Sequence, residues 1–253
     1  LLIIQTLNGL QLGILLFLVA SGLTLTFGIM DLVNLAHGSL YMIGAFICAS
    51  LTLYTGSFLW GVLLALPLTA LAGLVVEFVV IRHLYPRDHL DHVLATFGLI
   101  LCFDTLVQIA WGPQGIAVPL PKYLNGQVTL PGGVVFPIYR LLIIAVGMAI
   151  ATGLYVMVNF TRMGMLIRAG ASNRVMIGAL GVNITALFAV VFGLGATLAG
   201  LSGMLISPIT EASIGMGNEI IITAFVIIIV GGIGSMKGAF IAAILIGLID
   251  TMG

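Results

Sequence analysis

Apolar runs of spanning length recur along the whole chain and constrain its fold more than any motif does. Leu1–Met30, Phe58–Ile81, His92–Trp111, Arg140–Phe160 and Ile184–Ser207 are each long enough to cross a hydrocarbon core of about 30 Å as a helix. Inside lipid every backbone N–H and C=O must be satisfied within the segment, so runs of this kind fold as helices. Composition agrees. Of 253 residues, 61% are hydrophobic and 6% are charged, where a soluble domain carries about 25% charged residues. The net charge is zero, which leaves no electrostatic case for nucleic acid. The expected fold is all-α. It is a polytopic membrane protein of about eight transmembrane or half-membrane helices in one domain over residues 1–253.

The remaining segments fill in the order. Asp31–Tyr54 reads as a second helical stretch, Glu219–Val230 as a short seventh span and Ala239–Gly253 as the start of an eighth. Arg82–Asp91 is a charged loop broken at Pro86. Residues 112–139 form a long loop with Pro113, Pro119, Pro121, Pro131 and Pro137, suited to docking a partner or capping the bundle. Arg162–Asn183 holds three of the eight basic residues (Arg162, Arg168 and Arg174) and no acid. Its length corresponds to about six helical turns. Lys and Arg concentrate in short cytoplasmic loops. Alternating spans put Arg82, Arg87, Arg162, Arg168, Arg174 and Lys237 on one side, Lys122 and Arg140 on the other. That asymmetry places residues 162–183 in the cytoplasm, and residues 112–139 and the N-terminus outside. The chain opens at Leu1 without a Met and stops after an apolar run, so trimming at both ends is expected.

Several constellations carry candidate chemistry. Asn34, His37, Gly38, Tyr41 and Ala45 stand at i, i+3, i+4, i+7 and i+11, one polar and small helix face where lipid would favour Leu. Asp31 or Asn34 can cap that helix. A helix start directed into the protein can meet an anionic ligand group; the plainer reading is close packing through Gly38 and Gly44 with His37 held by a carbonyl. Asp104 lies in the fourth span, where an ionisable group must face protein or water. Thr96, Ile100, Asp104 and Gln108 repeat every four residues, so the stripe reads as a substrate pathway or as an acid bonded to a neighbouring helix. Glu77 is read as structural, reaching water beside Arg82. Gly195, Ala199 and Gly203 form a small-xxx-small stripe for helix packing. GGIGSMKG lacks the Walker spacing and joins two helices, so it reads as a tight glycine turn. His83, Asp88, His89, Asp91 and His92 have no recognised zinc spacing and read as a solvated loop. No metal, cofactor or disulfide is expected; Cys48 and Cys102 both fall inside spans. No nucleophile and base are paired for an intramembrane enzyme.

Taken as a set, four stretches resemble the membrane subunits of the branched-chain amino-acid ABC importers, the H-type permease. They are NLAHGSLYMIGAF (Asn34–Phe46), the ATFGLI and WGP of Ala95–Pro113, RAGASNRVMIGALGVN (Arg168–Asn183) and GGIGSMKGAFIAAILIG (Gly231–Gly247). The resemblance implies a cytoplasmic coupling helix over Gly164–Gly181, with Arg168, Ala169, Asn173, Gly178 and Gly181 at the motif positions, docking in a groove of an ATP-hydrolysing subunit. Arg174 adds charge for that soluble partner. It also implies ATPase subunits, a second and different permease chain, and an external substrate-binding protein, in a bacterial inner membrane. One more apolar segment and an Arg-Pro tail are expected beyond residue 253. The expected function is a permease for branched-chain or related neutral amino acids, with ATP hydrolysed on partner subunits. Urea or short amides are the alternative within the family. A proton-coupled secondary transporter using Asp104 and His37 is the alternative of a different class.

Overall fold

The computed structural model describes residues 2–121, 123–130 and 134–253. Leu1, Lys122 and Pro131, and the expectations placed on them, lie outside the described residues. Among the described residues six helices are long and apolar enough to cross a membrane. They are α1 (Leu2–Met30), α2 (His37–Thr55), α3 (Phe58–Val76) continued through a π-turn (Glu77–Ile81) into α4 (Arg82–Leu84), α5 (His89–Trp111), α6 (Ile138–Phe160) and α9 (Ile184–Thr210). Two shorter helices, α10 (Met216–Gly231) and α11 (Met236–Met252), follow. Between α6 and α9 lie α7 (Arg162–Ser172) and α8 (Arg174–Ala179). The all-helical polytopic fold expected from the apolar runs is present.

Helices α1 and α9 form the centre. Every residue from Gly13 to Thr26 is buried, as a helix apolar on all sides requires. Lipid gives helices no hydrophobic reason to pair, so close backbone approach through small residues does that work. On α9, a Cβ built at Gly195 would stand 3.0 Å from the Gly22 carbonyl oxygen of α1. Gly203 packs on the Tyr41 carbonyl of α2, Gly200 on Thr69 of α3 and Ala196 on Gly73. The small-residue stripe is therefore spent inside the chain. The pairings Gly22–Gly195 with Leu15–Ser202, Gly73–Ala196 with Thr69–Gly200, and Gly13–Ala243 with Gly9–Gly247 make α1 and α3 antiparallel to α9, and α11 antiparallel to α1. Ser202 Oγ adds a hydrogen bond of 2.9 Å to the Leu15 carbonyl.

The proline-bearing loop is not wholly irregular. Strands β1 (Gln127–Leu130) and β2 (Val134–Pro137) pair antiparallel, with Val128 opposite Phe136. Ile116 and Ala212 exchange backbone hydrogen bonds of 2.8 and 3.0 Å, tying the loop to the α9–α10 connection. Tyr139 then donates to the Leu205 carbonyl at 2.6 Å. The loop closes one end of the bundle, which we call the hairpin end; α7 and α8 lie at the other.

Three expectations about local structure are corrected. Asp31–Asn34 is not helical: α2 starts at His37, its N-cap is Ala36 and no side chain caps it. Arg162–Asn183 is not one helix of six turns, because Asn173 (φ −157°, ψ 97°) ends α7 and caps α8, its Oδ1 accepting from Met176 N at 2.9 Å. The short polar side chain competes with the helix backbone and wins at this position. Glu77 does pair with Arg82 but does not reach water. It is 1% exposed, accepts from Arg82 Nη2 at 2.9 Å and Nε at 3.2 Å, and takes the Tyr85 hydroxyl at 2.6 Å. The π-turn widens the helix so that residues five apart align, which an α-helix would not allow. Burial first, then the bond to Glu77, pushes the Tyr85 phenol well above its ordinary range, so it remains a donor. GGIGSMKG forms the expected turn: Gly232 (φ 89°) and Gly234 (φ 79°) need glycine, and Gly231 touches Gly238.

Candidate functional site

Two broken helices meet inside the bundle. From Met30 the chain turns back as a non-helical segment, residues 31–36, and reaches His37 beside α1. His37 Nε2 lies 3.2 Å from the Val19 carbonyl oxygen. Val19 is eleven residues before Met30, so the segment climbs about 16 Å back along α1. Leu35 N donates to Thr96 Oγ1 of α5 at 3.2 Å. α10 also begins inside the bundle, with Gly38 and Gly217 in backbone contact. The first turns of α2 and α10 thus face one another; the N–H groups of His37, Ser39, Met216 and Asn218 are bonded to carbonyls just before them, and each start brings the positive end of a helix dipole.

Polar side chains gather at this junction. Asn34 is fully buried, and neither atom of its amide has a hydrogen-bond partner among the described residues; the same holds for His37 Nδ1. Buried polar atoms of this kind cost free energy unless a ligand or water completes them. Tyr41 is buried one turn along α2. Asp104 is half-buried and its Oδ2 accepts from Asn218 Nδ2 at 3.2 Å, next to Gly217. Gln108 is exposed one turn further along α5. Of the six pathway candidates, Asn34, His37, Gly38 and Tyr41 come together, and Asp104 joins them through Asn218. Gln108 stands on the open side. Asn34 precedes the helix, so it does not share the helical face on which periodicity placed it. Asn218 and Glu219, both exposed, belong with this group. The available sequence signal was a polar pair opening an otherwise apolar span.

α5 packs loosely here. Among its residues only His92, Thr96, Ile100 and Val107 are buried. It leans on α2 through the Trp111 Nε1 bond to Ser50 Oγ, 2.6 Å, and the Trp111–Phe46 ring contact. Asp104 and Gln108 of α5 and Asn218 and Glu219 of α10 border the open side between these two helices, which we call the α5–α10 cleft.

The α7–α8 layer is the second candidate surface. Thr161 caps α7 by accepting from Gly164 N at 3.2 Å, and Gly164 packs on the Met157 and Val158 carbonyls. Arg168 donates to the Val158 carbonyl, which fixes α7 to the end of α6. Ala169 is half-buried, while Asn173, Arg174, Gly178 and Gly181 are exposed. Beside them Val175, Met176 and Leu180 are 83%, 60% and 77% exposed, an apolar patch that lies outside the candidate spans. Charge had drawn attention to this stretch; its apolar knobs were missed because they read as ordinary helix content. Asp31 carries a positive φ of 54°. Its carboxylate lies 3.8 Å from Arg174 Nη2 and 3.8 Å from His89 Nε2. Asp31, Arg168 and Arg174 line a cavity of about 470 Å³ with Thr24, Gly28 and Gly234.

Interrupted spans, a polar junction inside the bundle and an amphipathic layer at one end define a class, the multi-pass membrane protein that carries a solute. Comparison with known proteins narrows it. Residues 5–253 match the family described as branched-chain amino acid transport system / permease component, and the chain belongs to that family. It is 30% identical over 262 residues to the high-affinity branched-chain amino acid transport system permease protein BraD of Pseudomonas aeruginosa, covering 98% of this chain and 85% of that one. To LivH of Escherichia coli K12, of the same description, it is 28% identical over 276 residues, 98% and 84% of the two chains. It also matches the LivM permease protein of Salmonella typhimurium, 28% over 255 residues, 89% and 58%. No solved structure matches.

Proposed function

We propose that this chain is the permease subunit of an ATP-driven importer of branched-chain or related neutral amino acids, working with separate ATPase subunits, a second related permease and an external binding protein. The observation that carries the reading is the α7–α8 layer: a short capped helix, outside the spans, offering Val175, Met176 and Leu180 beside Arg168 and Arg174. An apolar patch rimmed by basic residues suits a soluble protein partner, and burying each such side chain contributes about 1.5–3 kcal/mol. The BraD and LivH relatives are named as branched-chain amino acid permeases, which supports the substrate class and disfavours the urea and proton-coupled alternatives. On this reading residues 162–183 face the cytoplasm of a bacterial inner membrane, and residues 112–139 face outside.

The solute path runs along the α5–α10 cleft to the Asn34–His37 junction. Helix starts at Gly38 and Gly217 supply donors for a carboxylate, while Asp104 and Glu219 supply acceptors for an ammonium group. A second permease closes the cleft.

Uptake in membrane vesicles tests the proposal. Transport is expected to persist when the proton gradient is collapsed and to stop without ATP; the opposite pattern would sink the reading. Val175→Asp places an acid at the first turn of α8, where the helix tolerates it. It should abolish co-purification of an ATPase subunit while the permease still inserts. Retained co-purification would remove α8 from the docking surface.

A further inference from the structure

Resting on that reading, the geometry points to Asp31 as the positioning residue through which movement of α8 reaches the buried end of the 31–36 segment. α7 is pinned to α6 by Gly164 and Arg168. α8 is separate, beyond the break at Asn173, and its first residue is Arg174. Arg174 Nη2 faces Asp31 Oδ2 at 3.8 Å. A partner that grips Val175, Met176 and Leu180 therefore pulls on Arg174 directly, and on Asp31 through it.

What Asp31 is attached to gives the contact its reach. It opens the non-helical segment that climbs about 16 Å to His37. Seven residue steps separate Met30 from His37, roughly 23 Å when fully extended. The last three steps close a turn, His37 N on the Asn34 carbonyl at 3.4 Å, so the four steps from Met30 to Asn34, roughly 13 Å when extended, make most of the climb and pass displacement at Asp31 along. At its far end stand Asn34 with its unpartnered amide, the Leu35–Thr96 hydrogen bond to α5, and His37 against Val19. These are the groups that line the junction and connect it to one wall of the cleft. Asp31 itself holds φ 54°, a left-handed conformation that Asp tolerates better than most residues, with its N–H on the Phe27 carbonyl at 3.0 Å closing α1. His89 Nε2, 3.8 Å from Asp31 Oδ1, ties the same carboxylate to the start of α5. One side chain thus connects α8, α5 and the segment leading to the junction, a contiguous physical link of the sort that carries coupling between distant sites.

The test uses the assembled transporter, permeases with ATPases and binding protein, in proteoliposomes, with leucine uptake and ATP hydrolysis measured together. Asp31→Asn keeps the shape and removes the charge. Hydrolysis is expected to continue within about twofold, while leucine moved per ATP falls by about tenfold, inside the 5–150-fold range of allosteric coupling. Arg174→Gln should lower uptake per ATP to a similar extent, and Asp31→Asn combined with Arg174→Gln should fall no further than either single variant, since both remove one interaction. Unchanged uptake per ATP in Asp31→Asn would overturn the proposal, as would losses that add in the double variant. Loss of ATPase co-purification in Asp31→Asn would also overturn it, since Asp31 would then act on assembly. Failure of the wild-type protein to use ATP at all would instead remove the importer reading on which this one rests.

Discussion

Gly178 and Gly181 show how differently two glycines of one stretch are constrained. A Cβ at Gly178 would meet nothing closer than 3.7 Å, and the residue is helical. Gly178→Ala should leave the fold intact or stabilise it by about 0.5–1 kcal/mol, read by thermal unfolding in detergent. Any loss of uptake in that variant then reports on contact with a partner. Gly181 has φ 87°. Gly181→Ala should destabilise by more than about 1 kcal/mol whatever the partner does. Gly22 lies inside the bundle, where a Cβ would stand 2.7 Å from the Gly195 carbonyl oxygen and 2.9 Å from the His37 ring. Gly22→Val should displace His37 and cost about 1–3 kcal/mol through overpacking. Sequence spacing flagged none of these distinctions, because a glycine's role depends on its φ angle and on the backbone opposite it.

At the scale of elements, the spans were legible, and so were short or broken segments near residues 31–38 and 219–230, but not the bounds of the breaks. Apolar runs predict helices because lipid leaves the backbone no other partner. The caps went unread: Asp31 and Asn34 were expected to cap and do not, while Thr161, Asn173, Asn183 and Ser235 each accept a hydrogen bond from an N–H at a helix start. Asn173→Ala should fray α8 at a cost of about 1 kcal/mol, seen as faster amide exchange at Met176. The break at residues 31–36 was read as helix because its polar positions keep helical spacing. What decides it is the Thr96 hydroxyl and the Val19 carbonyl of neighbouring helices, which satisfy that backbone and His37 from outside. The same holds for Glu77. Its distance in sequence from Arg82 suggested a pair near water, and only packing of Tyr85 over the π-turn shows the carboxylate buried. Glu77→Gln should lower the unfolding temperature, since Arg82 keeps its charge and loses its partner.

For the whole molecule the α5–α10 cleft sets the relation to its surroundings. Asp104 and Glu219 on an open face would be costly against lipid chains. Accordingly, a water-soluble carbodiimide should label them in membranes and a lipid-soluble one should not; preferential lipid-phase labelling would show the cleft facing the bilayer. Composition and the length of the apolar runs determined by themselves that this chain is a bundle of membrane-crossing helices, because the cost of an unsatisfied backbone in lipid leaves no other choice. The motif-bearing stretches determined the family. Tertiary structure alone decided which small residues touch, where spans are interrupted, and that Asn34, His37, Asp104 and Asn218 gather at one junction. Those outcomes depend on pairings between helices far apart in the chain, and helical periodicity carries no information about what stands on the other side of a contact. The basic stretch changed meaning for the same reason. Read in sequence it was a run of charge; folded, it is two helices with an apolar face, one of them facing, through Arg174, the segment of chain that leads inward.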